Sequence, residues 1–329
     1  MPVTSPHHCL TFSFFLIPSL ILITYFLAQF PNAPQRYSVH PSLASLGPET
    51  KAKDIYPEDF YTGGAYVSLP FGKVRYWLLG PVAGKKIVLI HGLSIPSLIW
   101  KDVAPALASR GYRILLYDLY GRGYSDAPEI TYDASLYATQ LALLMQHVKW
   151  PKAHVAGVSM GGGILAAFTS FFPDLVDSKV AFIAPTGLVE SKDLSRTTKF
   201  MSSPFIQTVT SSAPFRVDGP IRGLQDSFEA LGTSNRKILL IWGTADNTVP
   251  YKYAARMQEL LQSELVTIQG GGHDLTVSHP ETIISAFTRF SVQSSSPLLL
   301  LPNPETSTIF LIYHTWHSKE FTTVILLVR

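Results

Sequence analysis

The stretch "HVAGVSMGGG", residues 154–163, sets Ser159 between Gly157 and Gly161 and follows it with more glycine. It starts as an apolar run of strand length and leads into a helical pattern. At a sharp turn from strand to helix, a serine takes up a strained backbone conformation and its hydroxyl projects from the sheet. Side chains at positions 157 and 161 would collide there with the neighbouring strand and helix. The spacing therefore predicts an accessible serine at the end of a strand.

Short apolar runs alternate with helical patterns on both sides of this turn, over residues 56–291. The expected strands are "AYVSLP" (65–70), "KVRYWLLG" (73–80), "KIVLIHG" (86–92), "RILLYDLYG" (113–121), "AHVAGVS" (153–159), "KVAFIAP" (179–185), "KILLIWG" (237–243) and "LVTIQGG" (265–271). Helices are expected over residues 96–111, 132–148, 161–172, 251–262 and 279–291. This alternation predicts an α/β fold with a mostly parallel sheet and helices on both faces, in which ligands bind beyond the carboxyl ends of the strands.

Reactive side chains stand at those predicted strand ends. Asp246 follows "KILLIWGTAD" and His273 follows "LVTIQGGGHD". A serine hydroxyl needs a base to take its proton as it attacks, and a histidine oriented by a buried carboxylate supplies one. The chain order Ser, Asp, His is that of the α/β-hydrolase fold. We therefore predict Ser159 as nucleophile, His273 as base and Asp246 as acid.

These turns together resemble the α/β-hydrolase superfamily, in its capped esterase- and lipase-like branch. "HGLS" (91–94) resembles the His-Gly turn after the third strand, and "DLYGRGYSD" (118–126) resembles the Asp-x-x-Gly-x-Gly-x-Ser turn after the fourth. The resemblance implies that the Leu93 and Met160 amides are the oxyanion donors, and that His91 supports its turn structurally. It also implies a cap inserted after the sixth strand, at about residues 188–236. The chemistry implied is cleavage of a carboxylic ester through an acyl-enzyme, and an apolar pocket near a membrane anchor favours a lipid-like ester.

Two other functions stay open at this point. The same three residues serve carbon–carbon bond hydrolases and perhydrolases, so the reaction can differ without a change in motif. A non-catalytic binding or scaffold protein on this fold is the other class. The cap carries Phe200, Met201, Phe205, Ile206 and Phe215 among basic residues, which fits either an amphipathic flap over the pocket or ordinary packing.

Composition excludes several partners. The 26 basic and 23 acidic residues give a formal charge of +3 without a long basic run, which argues against nucleic acid. Cys9 is the only cysteine, so the chain has no internal disulfide and no cysteine-based metal site. The ten histidines show no metal-ligand spacing. We expect neither a cofactor nor a metal.

The two ends differ from the hydrolase-like region. Residues 10–30 carry no charge and are long enough to cross ~30 Å of hydrocarbon as a helix. A single-pass anchor over residues 1–30 is favoured over a cleaved signal peptide, because no Lys or Arg precedes the run and no good cleavage site follows it. Arg36, after the span, weakly favours a cytosolic catalytic domain. Residues 31–55, rich in Pro and Ser, predict a linker, and residues 292–329 form a tail of unknown role.

Overall fold

An eight-stranded sheet forms the centre of the computed structural model, which describes residues 17–26, 37–193, 223–292, 309–317 and 320–328. Its strands are β1 (Gly64–Leu69), β2 (Gly72–Leu79), β3 (Lys85–Ile90), β4 (Tyr112–Tyr117), β5 (Ala153–Val158), β6 (Val176–Ile183), β7 (Lys237–Gly243) and β8 (Glu264–Ile268). They lie in the order β8-β7-β6-β5-β3-β4-β2-β1. Strands β3 to β8 are parallel, whereas β2 pairs antiparallel with both β1 and β4. The predicted α/β fold with a mostly parallel sheet is confirmed.

Helices precede, separate and follow the strands along the chain. They are α1 (Lys51–Ile55), α2 (Val103–Ser109), α3 (Ala134–His147), α4 (Met160–Phe171), α5 (Gln225–Gly232), α6 (Lys252–Leu261), α7 (Leu275–Ser278) and α8 (Pro280–Val292), with 3-10 turns at Leu43–Ser45, Ser97–Trp100, Pro173–Leu175 and Ser191–Asp193. Asp133 begins α3 by accepting a hydrogen bond from Leu136 N at 2.8 Å, which satisfies one of the free amides of the first turn. The short helix α5 has no counterpart among the helices predicted from the sequence.

Alternate residues of each central strand pack into two separate cores. In β3, Val88 and Ile90 join the core that contains buried residues of α3, α4, α5 and α6. Ile87 and Leu89 join the other core, with buried residues of α2 and α8. Because both faces of the sheet are covered by helices, successive strand residues are all buried, and the strands appear in the sequence as continuous apolar runs.

The described part of the expected linker, residues 37–55, pairs with the hydrolase-like region through its backbone. Val39–His40 lies antiparallel to Ala127–Pro128. Leu43 N donates to Gly123 O at 3.1 Å. These are backbone contacts with a loop far along the chain, and a composition rich in Pro and Ser does not reveal them.

Three other predicted segments lie wholly or partly outside the described residues. Of the expected membrane span, residues 17–26 are helical and exposed. Across the ranges that the structure describes, no helix is both long and apolar enough to cross a membrane. The cap is described at residues 188–193 and 223–236, so its five candidate flap residues fall outside the described ranges. In the tail, β9 (Ile309–His317) and β10 (Glu320–Val328) form an antiparallel hairpin that pairs Ile309 with Val328.

Candidate active site

Ser159 occupies the turn between β5 and α4 in a strained conformation, with φ 54° and ψ −122°. A left-handed φ is unusual for a residue other than glycine and marks a position held by its surroundings. A Cβ atom on Gly157 would lie 2.2 Å from Gly161 O, and one on Gly161 would lie 2.4 Å from Ile90 O. Both contacts are with main-chain atoms, so only glycine fits at these two positions. The turn is the one that the sequence predicts.

The structure brings His273 and Asp246 to this serine. His273 Nε2 lies 2.9 Å from Ser159 Oγ, and His273 Nδ1 lies 2.7 Å from Asp246 Oδ2. Asp246 follows β7 and His273 follows β8, at the carboxyl edge of the parallel sheet where β5 also ends. The Asp246 side chain is fully buried, whereas that of His273 is 24% exposed. All three residues singled out from the sequence therefore form one continuous hydrogen-bonded line.

Two main-chain amides hold the Asp246 carboxylate. Its Oδ1 atom accepts from Thr248 N at 2.8 Å and from Val249 N at 2.9 Å, which leaves Oδ2 for His273 Nδ1. An ionised carboxylate only accepts hydrogen bonds, so Nδ1 carries the imidazole proton. Nε2 of the neutral ring then has a lone pair that faces the Ser159 hydroxyl. This tautomer is the one that a general base needs.

The loop after β3 runs beside the serine. A Cβ atom on Gly92 would lie 3.3 Å from Ser159 Cβ and 3.8 Å from Ser159 Oγ. The Leu93 amide follows in this loop, and the Met160 amide is the first of α4. Neither amide donates to an acceptor within the described ranges. Both residues line the cavity that contains Ser159, so their N–H groups are available to an oxygen bound there.

His91 supports this loop from inside the protein. Its Nδ1–H donates to Gly92 O at 2.7 Å, and its Nε2 accepts from Leu119 N at 2.9 Å. Burial lowers the pKa of His91 to about 3, because charging the ring without solvent is costly. A neutral imidazole with both nitrogens bonded is a structural link between the turns after β3 and β4, as the sequence interpretation expects.

Asp118 links the same two turns. Its Oδ1 accepts from Ser97 N and its Oδ2 from Tyr124 N, each at 2.9 Å. Burial raises the pKa of Asp118 to about 6, against the opposing effect of these amides. The Tyr56 hydroxyl adds a third donor at 3.1 Å. The Asp-x-x-Gly-x-Gly-x-Ser turn therefore anchors the chain that leads into the active-site loop.

The cavity over Ser159 has a volume of about 250 Å³ and mostly aliphatic walls. Sequence reasoning did not identify its wall residues, which come from four separate loops: Ile95, Ile99, Val189, Val249 and Val277. Four of them follow Leu93, Asp246 or His273 by two to six residues, and Val189 lies six residues after the end of β6. Closeness along the chain to a recognised motif is the only signal in the sequence that could have identified them. Asp274, beside the base, also lines the cavity.

The aspartates between β6 and β7 have other surroundings. Asp193 binds Lys252 Nζ at 2.6 Å and accepts a hydrogen bond from the Tyr253 hydroxyl at 2.5 Å. Asp226 is exposed in the first turn of α5. Asp218 lies outside the described residues. Asp246 is thus the carboxylate that reaches His273.

Comparisons with known proteins agree with this architecture. A profile described as "Alpha/beta hydrolase family" matches residues 87–286. An uncharacterized protein of Mycobacterium tuberculosis is 25% identical over 261 residues, covering 63% of this chain and 75% of that protein. A soluble epoxide hydrolase of Corynebacterium is 31% identical over 111 residues, covering 34% of this chain and 38% of that protein.

Among solved structures, a bromoperoxidase from Bacillus anthracis superposes with a TM-score of 0.58 and 22% identity, covering 70% of this chain and all of that one. A bacterial membrane phospholipase A gives a TM-score of 0.58 with 21% identity, covering 70% and 85% of the two chains. At these identities the likeness concerns the fold alone. The family match, which spans more than half of the chain and contains the Ser159 turn, Asp246 and His273, identifies the protein as a member of the alpha/beta hydrolase family.

Proposed function

We propose that this protein is a serine hydrolase that cleaves an uncharged carboxylic ester through an acyl-enzyme. The observation that carries the proposal is the line of short contacts from Asp246 Oδ2 to His273 to Ser159 Oγ, at 2.7 and 2.9 Å. Because this line ends in a cavity, a bound carbonyl carbon has access to the hydroxyl. A serine at the turn distinguishes this chemistry from that of hydrolases of this fold that attack with an aspartate.

The first half of the reaction forms the acyl-enzyme. As Ser159 Oγ bonds to the ester carbonyl carbon, His273 Nε2 takes the hydroxyl proton and the carbonyl π pair moves onto oxygen. The Leu93 and Met160 amides donate to this oxyanion. When the tetrahedral intermediate collapses, the alcohol oxygen leaves with the proton from His273, and Asp246 stabilises the imidazolium in between.

The second half repeats these steps with water in place of the alcohol. His273 takes a proton from water as its oxygen bonds to the acyl carbon. Collapse then returns the proton to Ser159 Oγ and releases the carboxylic acid. Each proton taken by His273 is given back, so the enzyme ends the cycle unchanged.

The walls of the cavity support an uncharged substrate. They are aliphatic at Leu93, Ile95, Val249 and Val277, and among the described lining residues none is a lysine or arginine. The one ionisable carboxyl there, Asp274, disfavours a substrate that carries a second negative charge. An acyl chain packed against these walls loses apolar surface to the protein, which favours binding by roughly 25 cal/mol per Å².

A lipid-like ester and an N-terminal anchor are part of the same proposal. The helix at residues 17–26 exposes large apolar side chains, among them Ile21 and Phe26 at 64% and 62%. The uncharged run extends over residues 10–30 of the sequence. A chain held at a bilayer by this segment meets neutral lipid esters at high local concentration.

Fluorophosphonate labelling and hydrolysis of p-nitrophenyl butyrate test the proposal together. We expect the wild type to do both and Ser159→Ala to do neither while remaining folded. Ser170→Ala is the matched control, because Ser170 lies at the far, exposed end of the same helix. Labelling that persists in folded Ser159→Ala would assign the nucleophile to another residue.

The same assay separates the alternative functions. Labelling of Ser159 without turnover of any ester favours carbon–carbon bond hydrolysis or perhydrolysis by the same residues. A wild type that neither labels nor turns over esters favours a binding or scaffold role. Both results would contradict ester hydrolysis.

A further inference from the structure

We propose that Arg122 is a positioning residue that holds the loop after β3, residues 91–96, at Leu93, whose amide is a proposed oxyanion donor. This assignment rests on the proposed function. Arg122 Nε donates to Leu93 O at 2.6 Å, and its Nη1 donates to Gly121 O at 2.8 Å. The guanidinium is therefore fixed at two main-chain carbonyls, one in its own turn and one in the loop beside the serine. Charge-assisted hydrogen bonds of this kind are shorter and stronger than neutral ones.

Leu93 is held on both sides. The peptide unit before it ends in Gly92 O, which accepts the His91 Nδ1 proton at 2.7 Å. In a planar trans peptide the carbonyl and the next N–H point in opposite directions, so this bond sets the direction of the Leu93 amide. The peptide unit after it carries Leu93 O, the acceptor of the Arg122 bond. Among the described residues, His91 and Arg122 are the side chains that hold the two peptide planes flanking the Leu93 α-carbon, so removing Arg122 leaves one of these planes held.

The loop beside the serine is not held by regular secondary structure. Residues 91–96 form neither helix nor strand, and the Ile95 side chain is 41% exposed. The turn that carries Arg122 has hydrogen bonds of its own: Asp118 Oδ2 accepts from Tyr124 N at 2.9 Å, and Ser125 Oγ donates to Asp118 O at 2.6 Å. Arg122 thus joins the turn after β4 to Leu93 O, beside the amide that would meet the oxyanion.

The expected effect follows from where this amide acts. An amide that meets the oxyanion stabilises the transition state more than the bound ester, so its displacement lowers kcat and leaves KM nearly unchanged. Complete loss of one oxyanion donor costs about a hundredfold to a thousandfold in kcat. A donor that has lost its support but remains in the loop should cost less, on the order of tenfold to a hundredfold.

Arg122→Met tests this assignment, since methionine keeps much of the apolar stem and removes the donors. The matched control is Arg113→Met. Arg113 also donates to a main-chain carbonyl, that of Gly80, but lies at the amino end of β4, away from Ser159. Both variants are compared with the wild type by circular dichroism, by fluorophosphonate titration of reactive serine, and by kcat and KM for p-nitrophenyl butyrate.

A second probe separates positioning from general damage. An alkyl trifluoromethyl ketone adds to Ser159 Oγ: the oxygen–carbon bond forms, His273 takes the proton, and the carbonyl oxygen becomes an oxyanion. The methyl ketone of the same chain length occupies the cavity as an ordinary ketone. We expect Arg122→Met to lower the affinity for the trifluoromethyl ketone by the same factor by which it lowers kcat. The affinity for the methyl ketone should stay within about threefold of the wild-type value.

The outcomes are distinct. A wild-type kcat in Arg122→Met would overturn the role of Arg122 and leave the proposed function standing. An equal loss of affinity for both ketones would also overturn it, because the arginine would then support the cavity as a whole. A wild type that is inert to fluorophosphonate and to both ketones would overturn the proposed function and this assignment together.

Discussion

Replacing Asp246 with asparagine separates the two tasks of this carboxyl group. Oδ1 accepts from the Thr248 and Val249 amides at 2.8 and 2.9 Å. The asparagine carbonyl oxygen must take this place, because an NH₂ group there would face two donors. Its NH₂ group is then directed at His273 Nδ1, at the position of the 2.7 Å contact with Oδ2. Two donors cannot bond, so the imidazole changes tautomer and its proton moves to Nε2, facing Ser159.

Asp246→Asn should lower kcat strongly and change the stability of the fold little. With a proton on Nε2 the ring cannot accept from Ser159 Oγ, and a wrong tautomer of this kind costs about 10⁴-fold in kcat, or about 5.5 kcal/mol. The two amide bonds to Oδ1 remain, so the free energy of unfolding should change by only about 1 kcal/mol. Hydrolysis of p-nitrophenyl butyrate, the rate of fluorophosphonate labelling and urea denaturation measure these quantities.

The control is Asp226→Asn, which removes the same charge from an exposed position in α5. It should keep the wild-type rate. If folded Asp246→Asn stays within about tenfold of wild type at neutral pH, the tautomer argument is refuted and Asp246 is not the residue that orients the base.

Three further results are expected. Gly161→Ala should destabilise the fold by about 1–3 kcal/mol and abolish labelling, because the new Cβ would lie 2.4 Å from Ile90 O. The control is Gly111→Ala, where φ is +89° and an added Cβ meets no atom within 4 Å; it should cost about 1–2 kcal/mol and keep labelling. In the folded protein the pKa of His91 is about 3, below its value in the unfolded chain. The unfolded chain therefore binds the extra proton, and stability falls on acidification. His91→Asn should make the slope of the unfolding free energy against pH, between pH 6 and pH 4, shallower by about 1.4 kcal/mol per pH unit, and equal slopes would contradict a neutral buried ring. Deleting residues 1–30 should release the protein from alkali-washed membranes, whereas a full-length chain secreted with a new N-terminus near residue 31 would refute the anchor.

The features that could be predicted from the sequence depend on short local patterns. Strands buried on both faces appear as apolar runs, and parallel strands bring their carboxyl ends to one edge of the sheet. Residues that follow three such runs, Ser159, Asp246 and His273, could therefore be grouped without knowing the loops between them. The glycines at 157 and 161 could be explained because their cause is steric and local.

The features that could not be predicted depend on contacts between distant segments. Arg122 lies inside a turn that the sequence identifies, yet its bond to Leu93 O exists only because the turns after β3 and β4 meet in space. The aliphatic wall of the cavity comes from loops whose course no periodicity describes. The pairing of Val39 with Pro128 joins residues 89 positions apart through backbone atoms, which carry no sequence signal.

The most direct test of the account is the covalent intermediate itself. Wild-type protein mixed with p-nitrophenyl butyrate, quenched in acid within the first turnover and measured by intact-protein mass spectrometry should carry one butyryl group. Peptide mapping should locate this group on Ser159, and Ser159→Ala should carry none. A butyryl group on a different residue, or continued turnover with no acylated protein at any quench time, would contradict an acyl-enzyme formed on the serine of this turn.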